Sequence, residues 1–252
     1  ESFTISNLIW LSVGGFLVTA SSNGFNQIIE RNLDRLMDRT KSRPLVTGNM
    51  SVAEAISLSV IFGLSGTLIL WFNFNVAAAL LGILALFVYV TLYTPLKQIS
   101  PWAVFVGAFP GAIPPMLGWV AATGLFSLEA GLLFAVQFMW QFPHFWAIAW
   151  KADSDYAKAG FRLLPSKGGK DKTSAFLMLV YSLFLLLVSL LPVFFNLTST
   201  VALITFSVAG ILMIYPAITL YRKRDEASAT KLMFASFVYV PMVLIVWYLD
   251  KI

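Results

Sequence analysis

Between residues 26 and 38, oxygen-bearing side chains return at every fourth position: Asn26, Glu30, Asp34 and Asp38. Positions four apart on a helix share one face, each about 6 Å further along the axis. Such a ridge could supply oxygen ligands to a hard divalent cation, and Mg²⁺ leaves part of its shell for substrate phosphates. Carboxylates at this spacing repel by roughly a few tenths of a kcal/mol per pair, so positive charge must offset them. Bases run on the same period, Arg31, Arg35, Arg39 and Arg43, with Lys41 among them. Two chemistries fit. Pairs three apart (Arg31 with Asp34, Arg35 with Asp38, Asp38 with Lys41) would form a solvated surface, each contributing roughly 0–1 kcal/mol. Alternatively the ridge holds a metal while Arg39, Lys41 and Arg43 grip phosphate oxygens through charge-assisted bonds. Pro44 predicts a helix end at about Arg43.

A second mixed cluster lies in KADSDYAKAGFRLLP, residues 151–165. Asp153 and Asp155 are two apart and do not share a helix face, which predicts a helix end or loop. Lys151, Lys158 and Arg162 surround them. Two acidic and basic clusters on one membrane face describe a site for a strongly anionic ligand with metal ions. A lipid with a diphosphate head suits it, the head at the water boundary and the tail among apolar helices. Just before this cluster, Gln137, Gln141 and His144 are spaced four and then three, a single helical stripe. Polar groups inside membrane helices are costly and face a cavity or the bundle interior. His144 is the only histidine of the chain. It is either a satisfied core residue or a ligand. Trp140, Phe142, Phe145, Trp146 and Trp150 around it pack against neighbours and lipid, or wall an aromatic pocket.

These residues sit on a very apolar chain. Of 252 residues 59% are hydrophobic and 12% charged, about half the charge of a soluble domain. Eight apolar runs, at about 8–29, 53–72, 75–94, 103–122, 128–150, 174–194, 200–220 and 230–249, each have the ~20 residues that cross a bilayer. The expected fold is therefore an all-α, polytopic transmembrane helix bundle, and the lipid bilayer is its solvent. The chain is expected to be one transmembrane domain over 1–252, with motif loops at about 30–52 and 151–173. With no cysteine, disulfides and thiolate chemistry are excluded.

The basic residues are one-sided. Five lie in 31–43, Lys97 stands alone, six lie in 151–172 and four in 222–231. The opposite connections, around 73–75, 123–127 and 195–199, hold none. By the positive-inside rule the charged segments are cytoplasmic, and this placement argues against nucleic acid as the partner of the net positive charge. Residues 95–101 and 221–231 read as ordinary solvated connectors. Residues 107–118 hold three prolines and three glycines, which predicts a kinked packing helix in preference to a cavity wall. Glu1 stands where an initiator Met would, and eight helices put both ends outside the cytoplasm, so a ninth helix before residue 1 is expected.

Together these motifs resemble the UbiA superfamily of intramembrane prenyltransferases. The family's Asn-x-x-x-Asp-x-x-x-Asp motif reads here Asn26-x-x-x-Glu30-x-x-x-Asp34, followed by a matching RTKSRPL at Arg39–Leu45. Glu30 replaces the first Asp, keeping the carboxylate with a longer reach. WQFPHFWAIAW (140–150) and DYAKAGFRLLP (155–165) resemble the haem-farnesylating branch. The second DxxxD motif of quinone-making branches is absent, since position 159 is Ala.

The resemblance implies transfer of a farnesyl group from farnesyl diphosphate to the 2-vinyl group of protohaem IX (haem B), giving haem O and diphosphate, with Mg²⁺ as cofactor. It implies that Asn26, Glu30, Asp34 and Asp155 hold the metal and diphosphate, with Arg39 and Arg43 catalytic beside them. Lys41, Lys158, Arg162, Gln141 and His144 are implied substrate contacts, His144 toward haem iron or a propionate. The implied setting is the bacterial inner membrane, with haem A synthase or the oxidase assembly machinery as further partners. A prenyltransferase acting on an aromatic or quinone precursor shares the first site, and a lipid or ion transporter shares only the bundle.

Overall fold

The computed structural model describes residues 4–251, which are helical almost throughout; the one bridge among them joins Thr198 and Lys251. In chain order the elements are α1 (Ile5–Asp34), α2 (Pro44–Thr47), α3 (Val52–Asn73), α4 (Val76–Phe87), a π-helical stretch (Val88–Tyr93) and α5 (Thr94–Leu96). Then follow α6 (Ala103–Thr123), α7 (Leu128–Lys151), α8 (Asp153–Lys158), α9 (Lys172–Phe194), α10 (Thr200–Lys223) and α11 (Glu226–Leu249). Each of the eight expected apolar runs is one long helix, the third being α4 continued through the π stretch into α5. Seven of them are long and apolar enough to cross a membrane. The remaining one, α7, is 24 residues long but carries Gln137, Gln141 and His144, which lower its hydropathy. The protein is an integral membrane protein of polytopic helical fold. Glu1 and the ninth helix expected before it lie outside the described residues.

The helices divide into two compact units, Glu1–Gly131 with Asp155–Phe161, and Leu132–Ser154 with Arg162–Ile252. In the first unit α1 packs along α3, α3 on α4, and α4 on α6. A Cβ on Gly66 of α3 would stand 2.8 Å from the backbone oxygen of Gly14 and 2.9 Å from the amide nitrogen of Val18 in α1, so only glycine permits that approach. Close contact through small residues is how helices associate where lipid cancels the hydrophobic drive. Further along the same pair, Ser21 Oγ donates to the Ser59 carbonyl at 2.7 Å, satisfying a buried hydroxyl. This packing fixes α1 on α3, and with it the direction in which the polar end of α1 faces.

Local signals set the helix starts. Ser51 and Glu54 form a reciprocal capping box at α3. Asn75 caps α4, and its amide also donates to the Val120 carbonyl of α6 at 2.9 Å. The proline-rich run lies inside one continuous helix, α6, with Pro110 buried and Pro114 exposed. In the second unit α9 packs on α10 and α10 on α11, while α7 meets α9 through Phe142 and Trp146 against Tyr181, at centroid distances of 4.7 and 5.0 Å.

Candidate active site

The polar ridge of α1 is buried. Asn26, Glu30 and Asp34 are exposed by only 6%, 3% and 1%, so their oxygens cannot rely on water and need partners from the protein or a ligand. Asn26 Nδ2 donates to Thr94 Oγ1 at 3.2 Å. Glu30 Oε1 lies 2.5 Å from Lys97 Nζ, an ion pair buried on both sides. Asp34 Oδ2 accepts from Arg43 Nη1 at 2.6 Å. Two oxygens of this ridge remain without an aligned hydrogen-bond donor, Glu30 Oε1 and Asp34 Oδ1; the Lys97 ammonium touches the first by charge rather than by bond direction.

The helix stops earlier than the sequence predicts. It ends at Asp34, residues 35–43 form turns, and Pro44 opens α2 instead of closing α1. A proline is well placed at a first helical position, where its missing N–H has no intrahelical partner to lose. The turn is sealed by Thr40, whose hydroxyl donates back to the Asp34 carbonyl at 2.9 Å, and by the buried Met37. Asp38 therefore leaves the ridge. Its side chain is 63% exposed and pairs with Lys41 at 2.6 Å and with Lys158. Of the three local pairs the spacing allows, only Asp38 with Lys41 forms among the described residues; Asp34 turns to Arg43 because the turn carries that arginine back over it.

Residues 155–161 complete the rim. Asp155 accepts the backbone N–H of Asp38 at 2.8 Å and of Arg39 at 3.2 Å, one on each carboxylate oxygen, and Lys158 at 3.2 Å. Its two oxygens hold the turn in place. Each amide takes one lone pair of an oxygen that has two, so these bonds do not exclude the metal role that the motif reading gives Asp155. The Arg39 guanidinium lies 5.4 Å from the Tyr156 ring centre. Lys97 Nζ stands 5.0 Å from the Tyr93 ring centre and 5.4 Å from that of Phe161, so a buried ammonium is enclosed by one carboxylate and two aromatic faces.

The charges of the rim are well separated from neutrality. Hydrogen bonds from Lys158 and Lys41 hold the Asp38 carboxyl down to about 2. The Asp38 amide, more than Lys158, holds Asp155 below the usual carboxylate range. Lys158 is raised by its bonds to Asp38 and Asp155. Burial lowers Lys97, with the Glu30 charge opposing that shift.

The second unit contains the other expected polar stripe. His144 and Gln141 are buried, at 4% and 2% exposure. Gln141 Nε2 donates to the Gln137 carbonyl at 3.3 Å. His144 Nδ1 and Ser236 Oγ of α11 are 2.7 Å apart, and the imidazole stacks on Trp140 with centroids 4.3 Å apart and planes 15° from parallel. Arg162 also belongs to this unit, exposed and without an ion pair among the described residues.

A buried Asn–Glu–Asp ridge beside lysine and arginine can hold a divalent cation and the diphosphate that shares its shell. Among the described residues no three of His, Cys, Asp and Glu group into a metal site by themselves. The oxygen set nevertheless suits Mg²⁺, since Asp34 Oδ1 is a buried acceptor without a donor, Glu30 Oε1 is met by the Lys97 ammonium alone, and Mg²⁺ takes the rest of its shell from water and phosphate.

The UbiA prenyltransferase family matches residues 1–239. The chain belongs to that family. A protoheme IX farnesyltransferase of Cytophaga hutchinsonii is 47% identical over 246 residues, covering 98% of this chain and 86% of the relative. One from Christiangramia forsetii is 50% identical, covering 96% and 81%. Among solved structures, a digeranylgeranylglyceryl phosphate synthase superposes with a TM-score of 0.78 at 21% identity, over 96% of this chain and 84% of that one. A UbiA homologue from Archaeoglobus fulgidus bound to GPP and Mg²⁺ gives 0.65 at 16% identity, over 97% and 89%. At such identities the structures establish the fold alone.

Within this UbiA chain, the first unit brings together Asn26, Glu30, Asp34 and Arg43, and around them Arg39, Lys41, Asp155 and Lys158. Lys97 and Thr94 were missed by sequence reading, which took 95–101 for a solvated connector. A signal existed: Lys97 is the one base of its loop, seated directly at the end of an apolar run, where a solvated connector would carry several charges.

Proposed function

We propose that this chain transfers the farnesyl group of farnesyl diphosphate to the 2-vinyl group of protohaem IX, giving haem O and diphosphate, for the haem A and haem O of terminal oxidases. The observation that carries the diphosphate half is the buried Asn26–Glu30–Asp34 ridge with its Lys97 and Arg43 partners. The haem half rests on relatives near 50% identity over almost the whole chain that are named for that reaction.

The chemistry divides between the residues as their charges require. The allylic carbon–oxygen bond breaks and its electron pair leaves on diphosphate. The vinyl π electrons form the new carbon–carbon bond, and water adds to the resulting cation and gives up a proton, leaving a hydroxyethylfarnesyl side chain. Asn26, Glu30 and Asp34 would hold Mg²⁺, which when bound neutralises charge developing on the departing diphosphate. Arg43, Lys97 and Arg39 are the nearby cations able to hold diphosphate oxygens before and after the bond breaks, and fixed charges aimed at a leaving group are the largest source of such stabilisation. Lys41 and Lys158 form an outer, more exposed cationic rim, and Arg162 remains a candidate contact. Asp155 keeps the turn bearing Arg39 and Arg43 in register and is a further candidate to hold the metal and diphosphate. His144, with Gln141 beside it, is assigned to the haem. The motif turns face the cytoplasm from a bacterial inner membrane, as the one-sided Lys and Arg distribution supports, and haem A synthase or the oxidase would consume the product.

Purified protein incubated with farnesyl diphosphate, haem and Mg²⁺ should yield farnesylated haem by mass spectrometry, and Asp34→Asn should yield about 10³-fold less. Prenylation of an aromatic acid or quinone precursor in place of haem would replace the acceptor and leave the diphosphate site as described.

A further inference from the structure

We infer that Ser236 fixes the tautomer of His144, leaving Nε2 as a bare nitrogen, and that this nitrogen is the axial ligand of the acceptor's iron. The inference rests on the haem assignment above and decides between iron and propionate as the partner of His144.

The argument counts hydrogens. His144 Nδ1 is 2.7 Å from Ser236 Oγ, and Ser236 Oγ is 2.5 Å from the Met233 carbonyl oxygen. Both contacts are too close for two heavy atoms with no hydrogen between them. A carbonyl has no hydrogen to give and a serine hydroxyl has one. The serine hydrogen must therefore go to Met233, whose oxygen can only accept, and the hydrogen toward His144 must come from Nδ1. In the neutral ring Nε2 then carries only its lone pair. It makes no hydrogen bond among the described residues.

The ring is also held in place. Trp140 stacks on it, and the Trp140 indole Nε1–H donates to the Ser236 carbonyl at 2.7 Å, so the side chain and the backbone of one serine anchor two neighbouring rings. The edge of Phe237 closes on the imidazole at 4.7 Å between centroids, 78° from parallel. A propionate would need an N–H from the histidine, and the only one is spent on Ser236. Iron needs a lone pair of fixed direction, which is what remains. Histidines that bind metals commonly donate the other ring N–H to a partner that sets tautomer and orientation. Here a serine hydroxyl relayed to a helix carbonyl takes that part. Ser236 is thus a positioning residue.

Because His144 is the only histidine, ¹⁵N-histidine labelling of the intact protein in nanodiscs gives the ring signals of one residue. The expected spectrum has a protonated, pyrrole-type Nδ1 and an unprotonated, pyridine-type Nε2; the reverse assignment overturns the inference without any variant being made. Added zinc protoporphyrin IX, which is diamagnetic and takes one axial ligand, should move Nε2 to a coordinated shift while Nδ1 keeps its proton. Metal-free protoporphyrin IX, with the same propionates, should not; equal shifts with both would refute coordination. Ser236→Ala should weaken zinc porphyrin binding about tenfold or more, with Ser236→Thr restoring it, and undiminished binding in the alanine variant would count against a positioning role. Zinc coordination at Nε2 without any farnesylated product from haem would sustain this inference and sink the proposed reaction. Product formed by a protein in the Nε2–H tautomer would do the opposite.

Discussion

Two polar stripes run along membrane helices of this protein, and they are answered in opposite ways. Asn26, Glu30 and Asp34 on α1 meet a threonine, a buried lysine and an arginine. Gln141 and His144 on α7 meet neutral groups, a helix carbonyl and the hydroxyl of Ser236, under aromatic rings. A buried charge requires a counter-charge, and the ion pair that results can be exchanged for another when a charged ligand arrives. A buried neutral group requires only a hydrogen bond, and a fixed one sets direction rather than charge. The first stripe is suited to answering charge, the second to holding a ring in a fixed direction.

Substitutions should separate the two stripes. The largest effect is expected from Asp34→Asn, which removes a buried charge at the ridge: turnover should fall about 10³-fold, while zinc porphyrin binding at His144 stays intact. A loss of both would mean that the stripes are one structural unit. Next, Lys97→Met leaves Glu30 buried without its cation and should cost about 3–5 kcal/mol of stability, read from thermal or denaturant unfolding in detergent. Adding Glu30→Gln should restore much of that stability without restoring activity; restored turnover would make the pair structural only.

Smaller effects belong to the rim. Asp155→Asn keeps the shape but loses the charge that binds two backbone amides and Lys158, so KM for farnesyl diphosphate should rise about tenfold with faster amide exchange at Asp38 and Arg39. The smallest concerns pH. Asp38 and Asp155 have pKa values below the ordinary 3.8, Asp38 at about 2, so their hold on the turn is complete above pH 4 and lost as pH falls toward 2. Lys158, raised above its ordinary 10.5, keeps its part until pH exceeds that raised value. Protection of those two amides, corrected for intrinsic exchange, should be flat from pH 5 to 9 and fall only in acid. A midpoint near 6 would place a different group in control.

The rim also marks where local reading failed. A period of four was extended from Asn26 through Asp38, but the helix ends four residues sooner. The competing interaction is non-local: Asp155, 117 residues away in sequence from Asp38, claims the amides that turn the chain. The same holds for Lys97, which the sequence presents as a loop residue and the structure buries against Glu30.

By itself the sequence determined the helices, their number among the described residues, the face that Asn26, Glu30 and Asp34 share, and the family. Those properties follow from hydropathy and from the 3.6-residue repeat, which act within a few turns of one helix. Only the tertiary structure decided the partners: Lys97 for Glu30, Arg43 for Asp34, Asp155 for the turn and Ser236 for His144. Each such pairing depends on where separate helices come to rest against one another, and helix periodicity carries no information about that.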